Sequence, residues 1–307
     1  MSEKVDLSQQ PNLEVRPLVV GAQGLVGQAL TEYLEERYPH TVSATRTELD
    51  ITDRWRTAAE LERLQPTVVI NCAASSHVDA CETDPEKADE INCKGPFHLA
   101  TACRHLGARL IHLSTDYVFD GEKGSEYTES DAPNPVNVYG TSKANGEQAV
   151  LDELVDVVVL RVAFVFGRGR DTFLDQIVRK VLDGDEVIRA VDGWTTRPTA
   201  LETIIDGIER LLLSSHTGIW HLASHGTVTR FDFARTVVEL AGGDPGRVEA
   251  QDASELRLAA QRPSATPLGT GAFERAFGVV PRSWVDHAAE YINARYGLGP
   301  GRRAGSS

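Results

Sequence analysis

The stretch "VYGTSKANGE" sets Tyr139 and Lys143 four residues apart. On a helix that spacing puts both side chains on one face. A free phenol loses its proton near pH ~10 and is a poor proton donor or acceptor at neutral pH. A lysine ammonium close by favours the phenolate and lowers that value, each unit being worth about 1.4 kcal/mol. A pair so arranged could protonate the alkoxide that remains when a hydride reaches a ketone carbon. Thr115, in "HLSTDYVFDG", could hydrogen-bond the carbonyl oxygen and the phenol, polarising one and orienting the other. Taken alone, the Y-x-x-x-K spacing is common, so its meaning rests on what positions it.

A second group of residues supplies a reason for hydride chemistry. "VVGAQGLVGQAL" places Gly21, Gly24 and Gly27 at three-residue steps between an apolar strand and a helical pattern. In that location Gly21 permits a tight turn, Gly24 lets the backbone approach a pyrophosphate, and Gly27 lets helix and strand pack closely. The N–H groups opening the helix would face the phosphates. A glycine-rich turn without a ligand is the bland alternative. The second strand ends "SATRTELD", with no acid at its tip to hold ribose hydroxyls. Arg46 suits a 2′-phosphate through bidentate contacts, which favours NADPH over NADH, although a surface arginine would look the same.

The elements that must position these residues follow from the hydrophobic pattern. "RPLVVG", "HTVSAT", "TVVINCAA", "ARLIHLST" and "DVVVLRVAFVF" read as five strands, most of them apolar throughout. Helical patterns separate them: residues 24 to 38, "DRWRTAAELERL" with Asp50, Thr52 or Asp53 as cap, a segment broken around Gly95-Pro96, and a helix from near Asn134. Strands of this kind alternating with helices predict an α/β domain, a doubly wound, Rossmann-like parallel sheet covered on both faces. Tyr139 then opens a helix close to the carboxyl edge of the sheet, and Thr115 ends the fourth strand at that same edge.

Past residue 165 helical patterns dominate, at 172 to 183, 199 to 213, 230 to 241 and 283 to 295. "EVIRA" and "GIWHLA" are short strands that could rejoin the main sheet. The expected organisation is a flexible leader (1–14), a dinucleotide-binding domain (15–165), a smaller, mostly helical C-terminal substrate-binding region (166–296) and a flexible tail (297–307).

The net charge of −14 and pI near 5.1 argue against nucleic acid or an anionic membrane as partner, both of which need basic patches. Cys72, Cys81, Cys93 and Cys103 lack metal or redox spacing and read as reduced thiols. The polar start is no signal peptide, and "VVVLRVAFVF" is too short to span a bilayer. A cytoplasmic protein is expected, with no metal, and a homodimer is compatible with it.

"GAQGLVG", "LDITD", "VVINCAA", "LIHLSTDYVFDG", "NPVNVYGTSKANGE" and "RPT" occur in the order seen in the dTDP-4-dehydrorhamnose reductase family. The resemblance covers roughly residues 17 to 295 and is most specific in "STDYVFDG" and "NPVNVYGTSK". It belongs to the extended short-chain dehydrogenase/reductases. It implies reduction of the 4-keto group of a dTDP-linked 6-deoxysugar with NADPH or NADH. The family's triad falls on Thr115, Tyr139 and Lys143, with Lys143 also holding the nicotinamide ribose. By the same resemblance Gly24, Leu25 and Val26 lie along the pyrophosphate, and Asp50 and Ile51 border the adenine. Ala73, Ala74, Ser75 and Ser76 line the cofactor, while Asp116 and Tyr117 contact the sugar. Ile51 and the alanines could equally be packing residues, and Asp116 a loop cap.

Several positions depart from the family. Phe164 stands where a tryptophan commonly packs on the deoxysugar, which keeps an apolar face and loses the N–H donor. Ser75 replaces a common tyrosine or histidine, "DGWTTRPT" carries an unusual Trp194 and Arg197, and Gly269 replaces a common aspartate. Arg262, in "QRPSATPLGT", is a candidate for the substrate diphosphate or a surface arginine. These changes bear on the sugar rather than on the triad. Two competing readings stay open: a nucleotide-sugar epimerase or dehydratase, and a non-catalytic subunit like the regulatory one of methionine adenosyltransferase. Tyr117 after Asp116, where dehydratases carry a second acid, and the intact "STDY" weigh against them.

Overall fold

The structure, a computed structural model, describes residues 15–184 and 187–299. The expected leader and the tail beyond residue 299 lie outside them. The first half runs β1 (Pro17–Val20), α1 (Leu25–Arg37), β2 (Val42–Ala44), α2 (Arg54–Leu64), β3 (Val68–Asn71), α3 (Val78–Thr83), α4 (Pro85–Asp89), α5 (Gly95–Leu106), β4 (Arg109–Thr115), α6 (Val138–Glu153) and β5 (Val157–Val162). The second half runs β6 (Val165–Phe166), α7 (Phe173–Asp183), β7 (Ile188–Val191), β8 (Thr195–Thr196), β9 (Thr199–Ala200), α8 (Leu201–Leu212), β10 (Gly218–His221), β11 (Val228–Thr229), α9 (Arg230–Leu240), β12 (Val248–Gln251), α10 (Gly271–Phe277) and α11 (Trp284–Tyr296).

Six parallel strands form the main sheet in the order β2-β1-β3-β4-β5-β10. Successive side chains of a strand point to opposite faces, so an apolar strand feeds two cores. Val19, Ile70, Ile111 and Val158 join Leu30 and Leu34 of α1 and Ile204 and Ile208 of α8. Leu18, Val20, Val69, Leu110 and Val159 join Leu61 of α2 and Leu99 and Cys103 of α5. The chain leaves β1 toward β2 and returns to its other side as β3. That reversal opens a crevice at the carboxyl ends of β1 and β3, where such sheets bind ligands.

"GIWHLA" rejoins the main sheet as β10, whereas "EVIRA" does not: β7 pairs with β12 in a separate two-stranded sheet. A further core under it gathers Phe166, Ile177, Val178, Phe233, Val237, Trp284 and Tyr291. The fifth strand is shorter than its apolar run suggests. Phe164 sits at φ +41° between β5 and β6, so the chain turns out of the sheet there, and β6 pairs with β9.

Two helix boundaries also differ from the pattern. Asp53 caps α2, accepting from the N–H groups of Trp55 and Arg56, while Asp50 accepts from Thr52. The helix expected near Asn134 begins at Val138. Asn137 is its cap, extended at φ −147° and accepting the Gly140 N–H at 2.8 Å, and Pro135 disfavours helix in the residue before it. Around Gly95-Pro96 the helix widens instead of ending: Glu90–Lys94 form a π turn that runs into α5. Pro96 has no N–H to continue the regular ladder, and the wider turn absorbs that loss.

Candidate active site

The crevice between β1 and β3 is a cleft of about 220 Å³ whose walls include Gly21, Gly24, Arg46, Asp50, Ile51, Ala73 and Ala74. Gln23, Leu49, Thr52, Cys72, Ile91 and Arg170 complete it and were not expected there from the sequence. The glycines differ in what demands them. Gly21 has φ +80°, and a Cβ there would come 2.6 Å from the Ala73 backbone nitrogen. At Gly27 an added Cβ would meet the Gly21 carbonyl oxygen at 2.3 Å, so the protein's own packing excludes any side chain. At Gly24 it would meet only that oxygen, at 3.3 Å. That contact is tight but far milder than the clashes at Gly21 and Gly27, so packing alone demands a glycine least at Gly24, where the backbone faces the cleft. Gly24 also caps α1 without a side-chain bond, so the first-turn N–H groups have no side-chain acceptor. This is the cradle a dinucleotide pyrophosphate needs.

Other expected cofactor residues sit less directly. Leu25 and Val26 pack partly buried against the core. Arg46 pairs with Asp50 at 3.4 Å in an exposed contact that a bound phosphate could displace. Ser75 is held by its backbone: its N–H donates to Asn92 Oδ1 at 2.7 Å, and its carbonyl accepts from Asn92 Nδ2. Asn92, buried on the π turn, also donates to Ser142 Oγ of α6 at 3.0 Å. Ser76 is exposed. Neither serine is a wall of the cleft.

Thr115 and Tyr139 come together at the neighbouring strand end. Burial raises the Tyr139 phenol above its ordinary value, the Thr115 hydroxyl pulls it down, and Asp116, Tyr117 and Cys81 push it up. Lys143 is held from the β4 side. Its ammonium is turned into the protein, donating to the Leu113 carbonyl at 2.6 Å and lying 3.3 Å from His112 Nε2. Burial pushes it down to about 8, with Glu147 opposing. The i, i+4 spacing sets a common face, and the long lysine chain reaches to the Leu113 carbonyl and His112 on β4.

Next to them lies a small polar pocket formed by Asp116, Tyr117, Trp194, Thr195, Arg230 and Thr266. Asp116 is buried and pushed up to about 6 by that burial, while Thr266 donates to its Oδ2 at 2.5 Å. The Tyr117 and Tyr139 rings meet edge to face at 5.9 Å. Phe164 is packed against Phe233 at 4.8 Å, and the Arg230 guanidinium covers its face at 3.2 Å. Arg262 forms a bidentate pair with Asp79 at 2.6 and 2.7 Å and also hydrogen-bonds Tyr117 at the pocket. Asp79 Oδ1 also accepts the Ala260 N–H, and Asn137 donates to the Gln261 carbonyl, so this pair staples the 260–266 loop beside the pocket. Arg230 and Asp79 carried no motif, and Thr266 was passed over within "QRPSATPLGT". Only their arrival from distant elements marks them.

A glycine turn at the switch point of a parallel sheet, with Thr, Tyr and Lys at the adjoining strand end, defines a short-chain dehydrogenase/reductase of the extended kind. The family model described as the RmlD substrate binding domain matches residues 15–296. The chain belongs to the dTDP-4-dehydrorhamnose reductase family. It is 38% identical over 272 residues to a dTDP-4-keto-6-deoxy-D-glucose reductase of Streptomyces niveus, covering 88% of this chain and 94% of that one. To a dTDP-4-dehydrorhamnose reductase of Streptomyces griseus it is 37% identical over 276 residues, covering 88% and 90%. Among solved structures, the dTDP-4-dehydrorhamnose reductase of Bacillus anthracis in complex with NADP superposes with a TM-score of 0.87. That match has 28% identity and covers 91% of this chain and 99% of that one.

Proposed function

We propose that this chain reduces the 4-keto group of a dTDP-linked 6-deoxyhexose with NADPH, converting dTDP-4-dehydro-L-rhamnose to dTDP-L-rhamnose. The observation that carries the reading is the meeting at one sheet edge of the β1–β3 cleft and the Thr115–Tyr139 pair. NADPH, when bound, supplies the hydride. Gly21, Gly24, Asp50, Ile51, Ala73 and Ala74 would hold it, with Arg46 toward a 2′-phosphate; NADH remains the alternative cofactor.

The chain's own residues do the rest. A phenol raised by burial keeps its proton at neutral pH, so Tyr139 enters the reaction as a donor. Thr115 orients it and bonds the carbonyl oxygen. Asp116 and Tyr117 face the sugar. Arg230 is largely buried and has no carboxylate partner within ion-pair distance among the described residues, which suits it to the negative charge of the substrate diphosphate. Arg262 would act by holding its loop rather than by touching that diphosphate.

The test is NADPH and NADH oxidation with a panel of enzymatically prepared dTDP-4-keto-6-deoxysugars. Turnover of dTDP-4-dehydro-L-rhamnose to dTDP-L-rhamnose is the expected result. No consumption of either cofactor with any of these sugars sinks the reading. A second reading, reduction of a different dTDP-4-keto sugar, is favoured by Phe164: it stands where the family's tryptophan would be, and Arg230 lies across its face. The same panel separates the two.

A further inference from the structure

Behind Lys143 stand two fully buried residues that the reaction above does not use, Asn71 at the end of β3 and His112 on β4. Their hydrogen bonds run in one direction. The Ala73 backbone N–H donates to Asn71 Oδ1 at 3.0 Å. A backbone N–H can only donate, so the amide oxygen of Asn71 is fixed on that side. Asn71 Nδ2 then faces His112 Nδ1 at 3.0 Å, and Nδ1 must be the acceptor. A neutral imidazole with a bare Nδ1 carries its hydrogen on Nε2. Burial and Lys143 together hold His112 well below its ordinary value, so the ring is neutral.

His112 Nε2 lies 3.3 Å from Lys143 Nζ. An N–H aimed at an ammonium sets donor against donor. Aimed at a neutral amine, it meets a lone pair. The bond from Lys143 to the Leu113 carbonyl serves either form. The arrangement therefore favours loss of a proton from Lys143 without any change of geometry.

We propose that His112, oriented by Asn71, is a positioning residue that makes Lys143 an exchangeable proton site rather than a permanent cation. Burial already pushes Lys143 down to about 8, in the same direction as the His112 contact. The other titratable groups that bear on it are Glu147, one turn along α6, and Cys72, after β3. Glu147 raises the amine, and the Cys72 thiol is itself pushed up to about 12 by burial and stays neutral. An exchangeable amine suits a site whose tyrosine gives up a proton in every turnover, and in this respect the inference rests on the proposed reductase activity.

The experiment is the pH profile of kcat for the wild type and for His112→Leu. If the reaction requires the ammonium, wild-type activity falls as pH rises through about 8. Without the Nε2–H, that basic limb moves up by about one pH unit or more, while KM changes little. A limb that stays in place overturns the proposal. His112 lies in the core, so imidazole nitrogen NMR of the wild-type protein supplies an independent check. Hydrogen on Nε2 with a bare Nδ1 is expected, and hydrogen on Nδ1 overturns the proposal. That spectrum needs neither cofactor nor substrate. Failure of the reductase reading would appear separately, as absent turnover whatever the tautomer.

Discussion

Between β1 and β3 the part of the crevice suited to phosphates is backbone, the Gly21 turn, the bare Gly24 and the Ala73–Ala74 segment, with Arg46, Asp50 and Ile51 further along the wall. Beside β4 and β5 the pocket is side chain: Asp116, Tyr117, Trp194, Arg230 and Thr266, brought from separate parts of the chain. Phosphate recognition needs closely approaching N–H groups, which a short turn and a helix start provide from consecutive residues. Sugar recognition needs directional groups on several sides, and no consecutive stretch can surround a ligand. The first side is therefore held by packing constraints, and the second is free to vary without disturbing the sheet.

The sharpest break between the two sides is at Tyr139. Tyr139→Phe should lower kcat by ~10²-fold or more and leave the NADPH Kd within a few-fold, measured by fluorescence titration. Near-normal turnover would show that the donor lies elsewhere.

Within the cofactor side, Gly21 and Gly24 should separate. Gly21→Ala must adopt φ +80° and meet the Ala73 backbone at 2.6 Å, so it should cost ~2 kcal/mol or more of stability along with cofactor binding. Gly24→Ala, whose added Cβ only presses on the Gly21 oxygen at 3.3 Å, should lose much less melting temperature than Gly21→Ala and weaken NADPH about tenfold. Equal melting temperatures for the two variants would contradict the division between packing and ligand.

On the sugar side, Arg230→Leu should raise KM for the sugar nucleotide by about tenfold or more and leave the NADPH Kd unchanged. A change confined to the cofactor would move Arg230 to the other half of the site.

An effect on stability rather than on turnover or binding concerns Asp116, pushed up to about 6 from an ordinary 3.8. A carboxylate raised on folding is a penalty that is complete above the folded value and gone below the unfolded one. Asp116→Asn should therefore stabilise the protein at pH 8, by on the order of 3 kcal/mol at most, and the gain should fade as pH falls from 6 toward 4. Chemical denaturation at several pH values reads this. A gain that grows on acidification would reverse the sign of the argument.

Much of this was legible beforehand because local physics carries it. Apolar strands alternating with helices imply a buried parallel sheet, and glycine steps after the first strand imply a phosphate turn. Thr115 and Tyr139 could be placed at one edge from strand and helix order alone. Arg262 was legible only as a residue type, which suits an anion equally well whether that anion is a ligand or Asp79, and only the fold brings Asp79 to it. Lys143 was half-placed: helical period sets its face, while its reach to Leu113 and His112 depends on β4 packing against α6.

The sequence by itself determined the strands of the sheet and the glycine turn, since each depends on residues near one another in the chain, and it nominated Thr115, Tyr139 and Lys143 through the motifs around them. Tertiary structure alone decided that β10 returns to the sheet while β7 leaves it, that Arg230 covers Phe164, and that His112 stands behind Lys143. Those are contacts between distant segments, and no periodicity along a chain encodes which distant side chain will fill a given space.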